Sequence, residues 1–366
     1  MPESIRSNES RPPAVQGLPL HTRSLTVAVW RSTASTWHAR GDVIDLRKNG
    51  FVPSSYDLQP SGIIHMMSID LELDLETLEI DAMKVDQPFV AIEPSEATRG
   101  ECCRDPAPRL LELTGERLDA DFARKLGLQF GGALGCSHLL TLFRLMASTV
   151  PRAVELERTR EAREGTQHDL AQRFFRRSVF VDGHAHSPEL TDVAVQLADT
   201  QTRPIASDAR MTDRLALSHE VKTFASVDRK RFTLERLEVR ERERSSENVG
   251  STQWTDHAAL VAPLMGARII PGMAGRVFKL MGGDPRLRPV LDNLLMFAPG
   301  FIQIMAALMD EYFEQREKAE DPTRTQKPAV ANLGGNADAC YMWRRDGPLS
   351  KSWATGDAEP SPRSTS

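Results

Sequence analysis

The chain repeats itself. Displaced by 154 positions, Arg23-Ser24 falls on Arg177-Ser178, Asp45 on Asp199, His65 on His219 and Asp74 on Asp228. The apolar series Leu78, Ile80, Met83 and Val85 falls on Phe232, Leu234, Leu237 and Val239. Further along, the spacing drops to 151, where Gly115 meets Gly266 and Gly131-Gly132 meets Gly282-Gly283. An internal repeat constrains a fold more than any local propensity, because both copies must adopt one plan. It also supplies a control: a residue present in one copy alone is not required by that plan. Cys136 and His138 are of this kind, since Leu287 and Pro289 stand opposite them. Cys103 meets Trp254 at the shorter spacing and His257 at the longer.

Within the first copy, Ser24 to Trp30 and Trp37 to Leu46 are β-rich. Ile63 to Leu73 and Leu78 to Val85 alternate, which predicts a hairpin with Asp74 to Thr77 near its turn. From Arg109, the spacing of Leu110, Leu111, Leu113, Leu118, Phe122 and Leu126 predicts two helices broken at Gly115. Gly131-Gly132 marks a loop, and Cys136 to Thr149 is a helix with an apolar face. The second copy repeats this order, with helices from Ala258, Met273 and Pro289. The fold class is therefore α+β, an internal duplication of a unit in which antiparallel strands precede helices. Strands gathered in each copy allow either one shared sheet joined edge to edge or two units packed through their helices.

The expected boundaries follow. Residues 1–20 read as a disordered arm, 21–150 as the first repeat and 151–176 as a linking helix dense in Glu and Arg. Residues 177–316 form the second, degenerate repeat, and 317–338 a flexible linker. Residues 339–353 regain aromatic character and read as a tail docked near the first copy, and 354–366 as disordered. At 366 residues the chain has room for two cores, and 40% hydrophobic with 27% charged residues is ordinary for a globular protein. A net charge of −5 argues against a general nucleic-acid binder. The longest apolar stretch, Leu294 to Met309, is short for a span and interrupted by Pro299-Gly300, so no membrane partner is expected. With no apolar run before position 21, the expected compartment is the cytoplasm, where Cys102, Cys103, Cys136 and Cys340 would be reduced.

The chemistry gathers around Gly135-Cys136-Ser137-His138-Leu139. A helix starting near Cys136 would place its thiol at the positive end of the helix dipole, which favours the thiolate. Upstream lie His65, Met67, Ile69 and Leu71 on one strand, and a cysteine ahead of Leu113-Thr114-Gly115. Together these resemble an uncharacterised bacterial family of unknown function with a Gly-Cys-x-His-Leu motif. The resemblance implies that the characteristic positions are His65, Cys103, Cys136 and His138, with Cys103 preferred to Cys102 by its distance from Gly115. The segment Asp338 to Leu349, with Cys340, is similar to that family's terminal motif. A further topological likeness, to iron–sulfur scaffolds of the NifU type, implies cysteines brought to one edge of an α+β domain.

Three functions fit these residues. A metal-binding protein would use His65, Cys103, Cys136, His138 and Cys340, a nitrogen and sulfur set suited to zinc ahead of an iron–sulfur cluster. A thiol enzyme would use Cys136 as nucleophile with His138 or His65 as base. A non-catalytic binding or assembly module would bury the same cysteines as core residues. A small molecule or a protein remains open as partner. Neither the Gly-Gly pairs nor any Ser-His-Asp arrangement fits a phosphate loop or a hydrolase elbow.

Overall fold

The computed structural model describes residues 15–54, 57–204, 210–250, 252–311 and 337–355. The arm, the linker and the end of the chain expected from the sequence lie mostly outside these residues. Four long strands open the molecule: β1 (Leu18–Arg31), β2 (Thr36–Arg47), β5 (Gly62–Asp74) and β6 (Ile80–Phe89). A small hairpin, β3 (Val52–Ser54) and β4 (Asp57–Gln59), intervenes. Alternation of buried and part-exposed positions, as in Leu25, Val27 and Val29 of β1, turns one face of each strand to the core. Helices then follow: α1 (Pro108–Leu111), α2 (Phe122–Phe130) and α3 (Ser137–Glu164).

The second half has the same order. Strands β7 (Arg173–Ala185), β8 (Leu190–Thr202), β9 (Leu215–Asp228) and β10 (Leu234–Arg244) precede a two-residue β11 (Thr255–Asp256). Helices α4 (Ala258–Val261), α5 (Met273–Met281), α6 (Arg288–Leu295) and α7 (Phe297–Ala306) come next, and α8 (Pro348–Thr355) ends the described chain. Registers correspond as well. Arg23 pairs with Asp45 and Asp45 with His65, as Arg177 pairs with Asp199 and Asp199 with His219. The isolated bridge Glu79–Arg117 has its counterpart in Thr233–Arg268. His257 contacts Glu241 as Cys103 contacts Gln87, so the longer spacing is the one at which their neighbours correspond.

The fold is α+β, with one nine-stranded antiparallel sheet in the order β11-β10-β9-β8-β7-β1-β2-β5-β6. The halves join edge to edge through β1 and β7, with Leu25 opposite Val179. Helix α3 covers β1, β2 and β5, while α6 and α7 cover β7, β8 and β9, with α7 reaching back over β1. One continuous apolar core runs under both helix layers. The helical run Pro285–Ala306 is long and apolar enough to cross a membrane, but most of it is buried inside the protein.

Several sequence expectations change. Helix α3 runs unbroken to Glu164, where Gly165 at φ 67° ends it, so 151–176 is not a separate linking helix. Strand β7 has already begun at Arg173. At the other end, β1 takes in Leu18 to Leu20, and Leu20 is fully buried, so the arm ends earlier than residue 20. Leu113 and Leu118 are buried in a non-helical stretch that pairs with the start of β6 rather than in helices on either side of Gly115. Their apolar spacing reflects burial from a loop.

Candidate metal centre

Register builds the site. Strands β1, β2 and β5 lie side by side, and each sends polar side chains toward the start of α3. Asp45 of β2 is fully buried at the centre. Arg23 of β1 donates to both of its oxygens, from Nε at 2.8 Å and Nη2 at 2.9 Å, and His21 Nε2 donates to Oδ1 at 3.0 Å. Burial alone would raise the Asp45 carboxyl, but the Arg23 charge and the His21 hydrogen bond hold it well below the usual range. His21 is pushed down by burial, so it stands neutral beside the ion pair.

Two further imidazoles approach the other side of Asp45. His65 Nδ1 of β5 lies 3.0 Å from Oδ2, and His138 Nε2 of α3 lies 3.4 Å from the same atom. The two rings stack with centroids 3.7 Å apart. Although these distances are short, neither nitrogen makes a well-directed hydrogen bond to the oxygen, and the His65 contact still helps to hold the carboxyl low. Asp45, His65 and His138 thus offer three donor atoms within 4.8 Å of one another. Burial, followed by the neighbouring His65, pushes His138 well down and leaves it neutral. An ionised carboxylate and a neutral imidazole are the protonation states that bind metal.

His138 also divides the site. Its Nδ1 faces Cys136 Sγ at 3.8 Å, on the ring edge away from Asp45. Cys136 is the residue immediately before α3, in an extended conformation. It is delivered there by Gly135, where a Cβ would stand 2.1 Å from the Phe130 carbonyl oxygen. Beyond it lies a cavity of about 190 Å³ lined by His65, Cys103, Cys136, His138 and Cys340. All five residues singled out in the sequence therefore meet one cavity. Cys102 does not line it and instead donates from Sγ to Asp105 Oδ1 at 3.2 Å. Cys340 arrives with the tail, where Tyr341 N donates to Gly135 O at 2.8 Å and Arg344 clasps both oxygens of Glu101 at 2.6 and 2.7 Å.

The expected thiolate at Cys136 is corrected. Burial pushes this thiol up to about 12, although the backbone N–H groups of Leu139 and His138 pull the other way. Desolvation outweighs the helix start. Cys103 is pushed well up by burial and by its neighbours Cys136 and Cys340, and burial raises Cys340 too.

Asp45, Arg23, His21 and Arg47 join the site without having been marked as candidates by the sequence. Arg47 lines the cavity and donates from Nη1 to the Gln59 carbonyl at 3.0 Å, and burial lowers it to about 10. Asp45 and Arg23 were visible as residues matched between the copies, and their spacing along paired strands was the available signal.

The second half holds a different centre at the same register. Arg177 donates to Asp199 at 2.6 and 2.7 Å and to Asp292 at 2.6 Å. His219 binds Glu241 through Nε2 at 2.5 Å. Arg152 of α3 brings its guanidinium to 3.8 Å from Asp199 Oδ2 and 3.5 Å from His219 Nδ1. A built-in cation stands between the paired aspartate and histidine.

A family match falls on the half that carries Cys102, Cys103 and Cys136. Residues 21–152 match the family described as Protein of unknown function (DUF2889). The match covers the strands of the first half and the start of α3, so it spans Asp45, His65, Cys103, Cys136 and His138 and stops before the tail. It bears out the resemblance of this stretch to an uncharacterised family. No curated protein and no solved structure matches the chain.

Proposed function

We propose that the protein binds a transition-metal ion through His65 Nδ1, His138 Nε2 and Asp45 Oδ2, with Zn²⁺ the ion best suited to the set. One observation carries this: two buried imidazole nitrogens, neither with a well-directed hydrogen bond, converge on one oxygen of an ionised aspartate. Buried polar atoms without partners are costly, and a cation between them would satisfy all three. In the second half the Arg152 guanidinium stands beside the matching aspartate and histidine. Ligand atoms at about 2.0–2.2 Å from zinc stand roughly 3.4 Å apart, which His138 Nε2 and Asp45 Oδ2 already do, and His65 Nδ1 at 3.0 Å needs only a small outward shift. Arg23 and His21 would hold the carboxylate in place. His65 and His138 also line the cavity, which leaves a coordination position open toward it. A closed set of four protein ligands would be structural; three ligands and an open side suit a centre that exchanges water for another ligand.

The sulfur ligands expected from the sequence fit less directly. One imidazole cannot present both nitrogens to one ion, so Cys136 beside Nδ1 lies outside a shell built on Nε2. Metal analysis of the full chain, purified without a metal-binding tag, tests the proposal. One equivalent of zinc is expected, lost in His138→Ala and His65→Ala but retained in Cys136→Ala and Cys103→Ala. Metal-free wild-type protein, or equal metal in His138→Ala, overturns it.

A second function has its own observation. Cys136 Sγ, the His138 ring and Asp45 Oδ2 stand in line at 3.8 and 3.4 Å, an order of thiol, imidazole and carboxylate that suits a nucleophile. A thiol pushed up to about 12 weighs against it. Rapid alkylation of Cys136 alone by iodoacetamide, in metal-free protein at neutral pH, would favour it over the metal centre.

A further inference from the structure

A second cavity, of about 580 Å³, lies between the helix layers of the two halves, with α2 and α3 on one side and α5, α6 and α7 on the other. Its volume falls within the range of small-molecule sites. Leu140, Ile269, Met273, Phe278, Leu295 and Ile302 give it an apolar wall. Four arginines stand on that wall, and three of them are already engaged. Arg23 serves Asp45 and the Pro299 carbonyl, Arg124 clasps Asp121, and Arg288 binds Ser148 and Asp292. The wall's one carboxylate, Asp292, is held by Arg177, Arg288 and Ser148. Among the described residues, Arg144 has no hydrogen bond and no ion pair. Arg144 is open to water within the cleft, yet burial among the surrounding walls still lowers its pKa from the ordinary value. The cleft therefore joins an apolar interior to one uncompensated positive charge on α3.

We propose that this cleft binds an apolar carboxylic acid, its chain along the helix-lined wall and its carboxylate on the Arg144 guanidinium. Arginine presents a planar fork that matches a carboxylate in two hydrogen bonds, and such bonds strengthen where water is partly excluded. The acid supplies the charge the wall lacks. An apolar alcohol would leave the guanidinium unmatched, and an apolar cation would be repelled by it. Ser137, Ile302 and Gln303 line both this cleft and the smaller cavity beside His138, so a ligand here would lie next to the candidate metal centre. The inference stands on the cleft itself and does not require the metal.

Isothermal titration of the full chain with dodecanoate and dodecyltrimethylammonium below their micelle concentrations, and with dodecan-1-ol below its solubility limit, tests it. Dodecanoate should bind with one site per chain, and far more tightly than the other two. Arg144→Gln should weaken dodecanoate at least about tenfold, the loss expected for a charge-assisted hydrogen bond, and leave dodecan-1-ol unchanged. Leu140→Trp, which fills the cleft from a partly buried position, should abolish binding while circular dichroism stays that of the wild type. Absence of saturable dodecanoate binding overturns the proposal. So does binding by Arg144→Gln as tight as the wild type, dodecan-1-ol binding as tight as dodecanoate, or full binding by folded Leu140→Trp.

Discussion

Asp45 and Asp199 occupy one register position and keep different company. Each accepts two hydrogen bonds from an arginine on the neighbouring strand, and both carboxylates are fully buried. Removing one partner of such a pair leaves an uncompensated buried charge. Asp45→Asn and Asp199→Asn should therefore each destabilise the protein by about 3–5 kcal/mol, read from thermal or urea unfolding. Their response to zinc should differ: added Zn²⁺ should raise the melting temperature of wild type and Asp199→Asn but not of Asp45→Asn. A third buried acid sets a pH dependence. Glu157 of α3 binds Arg160 at 2.7 Å, His168 at 2.7 Å and Gln201 at 3.0 Å. Burial would raise it, but these partners bring it from 4.5 down to about 2. A depressed carboxyl stabilises the fold above its unfolded pKa and loses that contribution as pH falls through its folded one. The difference in stability between wild type and Glu157→Gln, about 3 kcal/mol at neutral pH, should shrink between pH 4.5 and 2. Cys136 and His138 stand out in the sequence because their opposite numbers differ. Asp45 does not, because Asp199 stands opposite it. A residue kept for packing in both halves and used differently in one leaves no such mark.

At the scale of elements, strands were legible and helix ends were not. Period-two alternation marks β2 and β5 almost to their ends, because one face of each is buried nearly throughout, whereas β1 begins at Leu18, ahead of Ser24, and the largely exposed β6 runs past Val85 to Phe89. The sequence marks only the first half of helix α3 plainly, because its second half turns from apolar to Glu- and Arg-rich. The tail shows how a short element can complete a cavity. Met342 and Leu349 are buried, Arg344 stacks over Tyr341 at 4.0 Å, and the Arg344–Glu101 pair fastens the segment beside Gly135. Arg344→Ala should weaken this contact by about 1 kcal/mol and raise the population of the opened tail about fivefold. Alkylation of Cys340 followed by mass spectrometry would measure it, with the rates at Cys102 as internal reference. An unchanged Cys340 rate would mean the apolar contacts alone hold the tail.

Across the whole molecule, the choice between a joined sheet and packed helix layers was not written in local pattern. Both arrangements bury the same strand faces, and only the pairing of β1 with β7 distinguishes them. That pairing runs the length of both strands, and the core beneath it is continuous. Heat should therefore unfold both halves in one transition, with calorimetric and van't Hoff enthalpies in agreement. Two resolved transitions would show that the seam transmits little.

The seam has a further consequence for how the protein behaves in a crowd. A sheet has two ends wherever it is not closed, and an exposed end can recruit a strand from another molecule. Joining through β1 and β7 spends one end of each half, so the nine strands leave β6 at one side and β10, only briefly capped by β11, at the other. Strand β6 presents Asp81, Lys84, Asp86 and Pro88 to solvent. Strand β10 alternates Arg and Glu from Arg236 to Arg244. Charge and proline at an open end discourage foreign strands, so the Arg-Glu alternation of β10 is a guard against polymerisation.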